Sequence, residues 1–170
     1  MGEVGFVDES CDRGYFLVLC LIDYLHLPYA EKALKTSKYR KEKRSKIRKN
    51  LLIKFLHELI AHSSVDVNIF AYPFKKARIE SLKLLNSTIY KRNVHVVYFS
   101  RFNDVIGENL RSLLRDSINK IENTRPDSIR GRIADALAYA YHLYNKGDAK
   151  IKSFFKRYSA TIKVHPIRIL

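Results

Sequence analysis

The chain has 170 residues, 46% of them hydrophobic, which suits one intracellular globular domain with a buried core. Its 32 Lys and Arg against 17 Asp and Glu leave a net charge of +15 and a pI near 9.9; such an excess repels itself unless a polyanion neutralises it, so a nucleic acid, DNA or RNA, is the expected partner. The longest apolar run, Tyr15 to Ile22, is too short to cross a bilayer, and no basic-then-apolar leader precedes it, so no membrane partner and a cytoplasmic location are expected.

Val4 to Glu9 reads as a strand and Tyr15 to Tyr24 as a second, with Cys-Asp-Arg-Gly turning between them as a hairpin. Alternation sends Asp8 to one face with Val4 and Phe6, and Glu9 to the other with Val7. Two isolated cysteines, Cys11 and Cys20, make no zinc site, and an intracellular compartment keeps them reduced. The lack of Gln and Trp beside abundant Lys, Arg, Ile and Tyr is the composition bias of thermophiles.

Glu31 to Lys54 is the most basic segment, with eleven Lys and Arg answered only by Glu31 and Glu42. Lys35, Lys38, Arg40, Lys41, Lys43, Arg44 and Lys46 are candidates for sequence-independent phosphate contacts; the alternative is a solvated charged face. Tyr39, among them, either stacks on a base or packs. The part around "ALKTSK" reads as a loop or short strand, and a helix follows over roughly residues 41–62, with Ile47, Leu51, Leu52, Phe55, Leu56, Leu59 and Ile60 on its apolar stripe.

"VDVNIFAY" is a third strand, and the next helix carries Ile79, Leu82, Leu85 and Ile89 on one face. "NVHVVYFS" is a strand, "GENLRSLLRDSINKI" an amphipathic helix and "ENTRPDS" a loop. A long helix then begins at Pro126 or Ser128 and runs to Lys146, with Gly147 as its stop. Asp135 lies on it between Gly131 and Ala138, small residues that let a backbone or an ion come close. "ATIKVHPIRIL" is a late strand that Pro166 places at an edge. Strands alternating with helices imply a mixed central sheet, opening with the hairpin and flanked by helices, without a domain boundary.

A strand ending Asp8-Glu9-Ser10 and a late helix carrying Arg132-Ile133-Ala134-Asp135 resemble the family called domain of unknown function 3800, whose members have a ribonuclease H-like fold. The family's motifs read Asp-Glu-Ser-Gly and Gln-Leu-Ala-Asp, so Cys11 stands in the glycine place and Arg132 replaces the glutamine. "ALKTS" is similar to its Leu-Lys-small motif and singles out Lys35, while Ser100 stands where relatives often have Asp and the next carboxylate is Asp104.

The resemblance implies a divalent-metal-dependent nuclease. Such enzymes hold two cations, Mg²⁺ or Mn²⁺, about 3.5–4 Å apart on carboxylates, to activate water and stabilise the leaving oxygen. Asp8 and Asp135 are the expected metal ligands, with Asp104 or Glu9 as further catalytic candidates and Arg132 joining the nucleic-acid contacts. His142 is the histidine placed to assist them. Each acid also has a structural alternative: Asp8 in a turn, Glu9 on a basic side chain, Asp104 as a helix cap, Asp135 paired with Arg132, Tyr139 or His142. The competing function is a non-catalytic nucleic-acid-binding or scaffold protein on a degenerate site, and a homodimer would be required for branched DNA.

Overall fold

A computed structural model describes residues 2–10, 15–41, 44–62, 65–72 and 77–166; Cys11 and Lys43 lie outside the described residues. Strands β1 (Glu3–Ser10) and β2 (Tyr15–Asp23) form the expected hairpin, with Asp8 opposite Val18 and Glu9 opposite Leu17. They are joined by β3 (Val65–Tyr72), β4 (Val94–Ser100), β5 (Ile121–Thr124) and β6 (Ile162–Pro166) in the sheet order β5-β4-β1-β2-β3-β6. β2 is antiparallel to β1 and β3, whereas β4 is parallel to β1 and β5, and β6 is parallel to β3. The sheet is therefore mixed, and β6 takes the edge that its proline requires.

Both faces of the sheet are covered. Val4, Phe6, Phe16 and Val18 pack beneath α1 (Leu27–Ser37), α2 (Ser45–His62), α6 (Ile129–Asn145) and α7 (Ala149–Arg157). Val7, Leu17, Leu19, Val97 and Phe99 pack against α3 (Ala77–Lys91) and the segment that follows β4. That segment contains two short helices, α4 (Phe102–Val105) and α5 (Glu108–Arg111).

Four local expectations are corrected. "ALKTSK" lies on a helix that ends at Lys38, because Ala30, Ala33, Leu34 and Ser37 repeat at helical spacing on a buried face and Pro28 sits in the first turn. The stretch 108–121 is broken into α5 and two single 3₁₀ turns rather than one helix. At its centre the buried Ser117 hydroxyl donates to Asn86 of α3 at 2.8 Å, fixing the chain sideways before it enters β5. Residues 121–124 are a strand, not a loop, and pair with Val97–Ser100 of β4. Two expected stripe residues face solvent: Ile47 of α2 is 44% exposed, and Ile79 is 46% exposed, with Ala77 and Ser81 taking its place on the buried stripe of α3. Cys20 is a buried free thiol.

Helix α6 carries the late aspartate. Its N-cap is Ser128, whose hydroxyl accepts the Gly131 amide at 3.0 Å and donates to the Arg125 carbonyl at 2.7 Å. Gly147, at φ +88°, follows its last turn. Gly131 serves a backbone approach: a β-carbon there would lie 2.0 Å from the carbonyl oxygen of Arg125. Gly131→Ala therefore lowers stability by about 1–3 kcal/mol through overpacking, although helix propensity alone favours alanine by about 1 kcal/mol. Urea denaturation of the two proteins decides the sign.

Candidate active site

The end of β1 opens into a pocket of about 390 Å³ bordered by Asp8, Ser100 and Arg101 from the sheet side, by Lys41 and Arg48, and by Asp135, Ala138, Tyr139 and His142 of α6. Asp8 points to the helical face with Val4 and Phe6, as alternation requires, and Asp135 enters from α6. The two carboxylates thus meet in one cavity. His142 is there too, its ring stacked with Tyr139 at a centroid distance of 6.1 Å.

Asp135 is held by residues that local spacing does not link to it. Arg48 Nη2 donates to both carboxylate oxygens, at 3.2 Å to Oδ1 and 3.0 Å to Oδ2. The Tyr39 hydroxyl donates to Oδ2 at 2.8 Å and itself accepts Arg48 Nε at 3.2 Å. The guanidinium carbon lies 3.7 Å from the centroid of the Tyr139 ring, a cation–π contact. Tyr39 is fully buried against Phe55, so it packs and does not stack on a base. Burial, followed by the adjacent Asp135 charge, pushes its hydroxyl well above the usual range and keeps it a proton donor. Burial works against the Arg48 cation, but Tyr39 and Asp135 together raise its pKa.

Asp8 has no such partner. Its Oδ1 accepts the Glu9 amide at 3.0 Å, its one hydrogen bond among the described residues. Burial first, and the Asp135 charge second, raise its pKa to about 7, with the Glu9 amide and Lys41 acting in the opposite direction.

Glu9 and Asp104 do not join this pair. Although Glu9 borders the pocket, its carboxylate leaves the opposite face of β1, where Arg78 Nε donates to Oε2 at 3.1 Å, Arg78 Nη2 to Oε1, and the Tyr15 hydroxyl to Oε2 at 2.7 Å. It is therefore a structural anchor, on the basic side chain considered from sequence. Asp104 lies within α4 with its side chain 70% exposed, 3.9 Å from Arg101 Nε, and is neither a pocket residue nor a helix cap, the position before α4 being held by Arg101 and that before α5 by Gly107. Among the described residues no cluster of three His, Cys, Asp or Glu that could hold a metal exists.

The basic candidates divide between two places. Lys41 borders the carboxylate pocket, while Lys35, Lys38, Arg40 and Arg132 line a second cavity of about 540 Å³ with Leu34, Ile47 and Leu51. Arg132 Nε is buried and has no hydrogen-bond partner among the described residues. Arg44 and Lys46 are exposed and border neither cavity. Arg48 had a partial signal: it stands four residues before Leu52 and seven before Phe55, in line with the buried stripe of α2, a relation it shares with Lys49, three before Leu52 and seven before Leu56. Arg78 had none, because its partner lies on β1, 69 residues earlier in the chain.

Among solved structures, the chain is similar to the ribonuclease H2 of Pyrococcus horikoshii OT3, with 16% identity over 92% of this chain and 77% of that one and a TM-score of 0.50. It is also similar to the ribonuclease HII of Archaeoglobus fulgidus, solved in a complex with PCNA, with 16% identity over 92% of this chain and 87% of that one and a TM-score of 0.42. No family model and no curated protein matches the sequence. The mixed sheet and the likeness to the first structure identify a ribonuclease H-like α/β fold.

Asp8 carries a pH signature. Its folded pKa of about 7 exceeds the ordinary 3.8, so the folded state holds the proton more tightly and loses stability as pH rises between those values. In a metal-free buffer, Asp8→Asn therefore raises stability at pH 8 by an amount on the order of a few kcal/mol, and the gain disappears by pH 4. Paired thermal melts at both pH values check this; a variant less stable than the parent at pH 8 contradicts it.

Proposed function

We propose that the protein binds nucleic acid through its backbone phosphates and hydrolyses phosphodiester bonds with a divalent cation held by Asp8 and Asp135, as a member of the domain of unknown function 3800 family. The observation that carries this reading is the meeting of those two carboxylates in one cation-rimmed pocket at the end of the central strand. The donor set fits one cation. Asp8 accepts a single backbone hydrogen bond, and Asp135 Oδ1 a single one from Arg48, so both retain lone pairs, whereas Asp135 Oδ2 has two donors already. Mg²⁺ or Mn²⁺ suits two carboxylates, since such ions keep several waters and take up phosphate oxygens.

The bound cation would polarise a phosphoryl oxygen and acidify a water. The chain's own residues do the rest. Lys41 and Arg101 face the same pocket and offer positive charge to the phosphates on either side of the carboxylates. Arg40 and Arg132 each lie close in sequence to a pocket residue, Lys41 and Asp135, so the second basic cavity extends the path a strand would follow. These contacts read charge and spacing rather than base identity.

The second reading, a non-catalytic nucleic-acid-binding protein, is favoured by one observation: a basic side chain, Arg48, already neutralises Asp135. Cleavage of labelled DNA and RNA substrates in Mn²⁺ separates the two. Asp8→Asn is expected to abolish cleavage while binding stays intact or tightens; cleavage that survives the substitution rejects Asp8 as ligand. Binding without cleavage on every substrate leaves the binder.

Replacing Lys35, Lys38, Arg40 and Arg132 together by alanine is expected to weaken binding at least tenfold at low salt. It should also flatten the dependence of affinity on salt by roughly one unit of log–log slope for each phosphate that is no longer neutralised. Filter-binding titrations over a salt series measure both.

A further inference from the structure

Two-ion phosphodiester hydrolysis needs positive charge on both sides of the scissile phosphate. The donor set described above accommodates one divalent ion, which leaves the second charge to be found. We infer that the Arg48 guanidinium takes the place of the second cation, so that the site works with one divalent ion and one fixed organic cation. This inference rests on the proposed phosphodiester chemistry.

Arg48 is held too firmly to be a surface charge that happens to reach an acid. Its Nη2 bridges both oxygens of Asp135, its Nε donates to the Tyr39 hydroxyl, and its plane lies over the Tyr139 ring. Its side chain is only 14% exposed. Tyr39 is itself fixed, being fully buried and bonded to the same carboxylate at 2.8 Å. A guanidinium locked on three sides is preorganised, as a metal ion on fixed ligands is.

The arrangement also leaves Arg48 a free hand. Nη1 makes no hydrogen bond among the described residues, and Arg48 borders the cavity that holds Asp8. Its two N–H groups are available to a phosphate oxygen, the group that a planar guanidinium recognises best. A second divalent ion on Asp135 would have to sit beside this cation and share oxygens it already engages, with like charges opposed in a partly buried pocket. Arg48 therefore excludes that ion and supplies its charge.

Calorimetric titration of the whole chain with Mn²⁺, without nucleic acid, tests the inference. Asp8→Asn identifies which bound ions belong to the pocket, and electron paramagnetic resonance detects a coupled ion pair. One pocket ion is expected in the parent chain. Arg48→Ala is expected to bind two, with the signal of a coupled pair, and Arg48→Lys to keep one. Arg48→Gln, which retains a donor for Asp135 without the charge, provides the same test as alanine if the alanine variant does not fold, and is likewise expected to bind two. Two pocket ions in the parent chain overturn the inference and leave cation-dependent cleavage standing. A single ion that persists in both neutral variants overturns it in the same way. No pocket ion in the parent chain overturns both the inference and the cation-dependent reading.

Discussion

In β1 the side chains of Asp8 and Glu9 leave the sheet on opposite faces, and each face has to hold a negative charge largely out of water. The two faces do this differently. Beneath α3, Glu9 receives both a guanidinium and a tyrosine hydroxyl, so its charge is matched where it lies. Beneath α6, the matching guanidinium goes to Asp135, and Asp8 is left with one backbone amide and a raised pKa. A carboxylate that the fold buries and does not neutralise is a standing cost, and a divalent cation or a proton relieves it.

That asymmetry depends on where the helices stop and start. The first turn of α6 folds closely onto the segment that leads into it, because Gly131 admits the Arg125 carbonyl and Ser128 ties the helix start to the same carbonyl. One turn later the helix delivers Asp135, and the next turn Tyr139, the surface on which Arg48 lies. α2 arrives with Leu52, Phe55, Leu56 and Leu59 buried, which fixes the rotation of the helix and turns Arg48 inward. At the far end of β1 the acids are tied into structural pairs, since Arg92 joins Glu3 to Asp66 and Lys163 adds a second cation to Asp66. Partly exposed pairs of this kind contribute little stability each, so they orient strands more than they hold the sheet together.

How far the sequence could be read follows from the range of each interaction. The hairpin, β3, β4, α3, α6 and the edge strand all show in local periodicity, because burial on one face writes itself directly into spacing. Helix α1 was hidden by its lysines, which mask a narrow stripe of Ala30, Ala33 and Leu34. Strand β5 is four residues long and gains its identity only from pairing with β4. At the site, alternation separated Asp8 from Glu9 correctly, but the choice of Arg48 for Asp135 and Arg78 for Glu9 is made by tertiary contacts far apart in the chain. Proximity in sequence suggests Asp104 as a third ligand; the left-handed turn at Arg101 carries the chain into α4, where Asp104 meets solvent.

The position of Arg48 also says something that stability alone does not account for. Removing an arginine from water costs several kcal/mol that an ion pair only partly returns, and replacing a buried pair by well-packed apolar groups is often neutral or stabilising, by roughly 1–4 kcal/mol. A helix whose neighbouring buried positions are Leu52, Phe55 and Leu56 would accept Leu or Met at 48 if Asp135 were replaced by an apolar residue with it. Pairing Asp135 with the arginine matches that carboxylate with a cation and engages Nε and Nη2 of the guanidinium within the network. Nη1 has no acceptor among the described residues, so its N–H groups are open to one from outside. In a chain with fifteen surplus positive charges, a phosphate is the acceptor that the surface as a whole attracts.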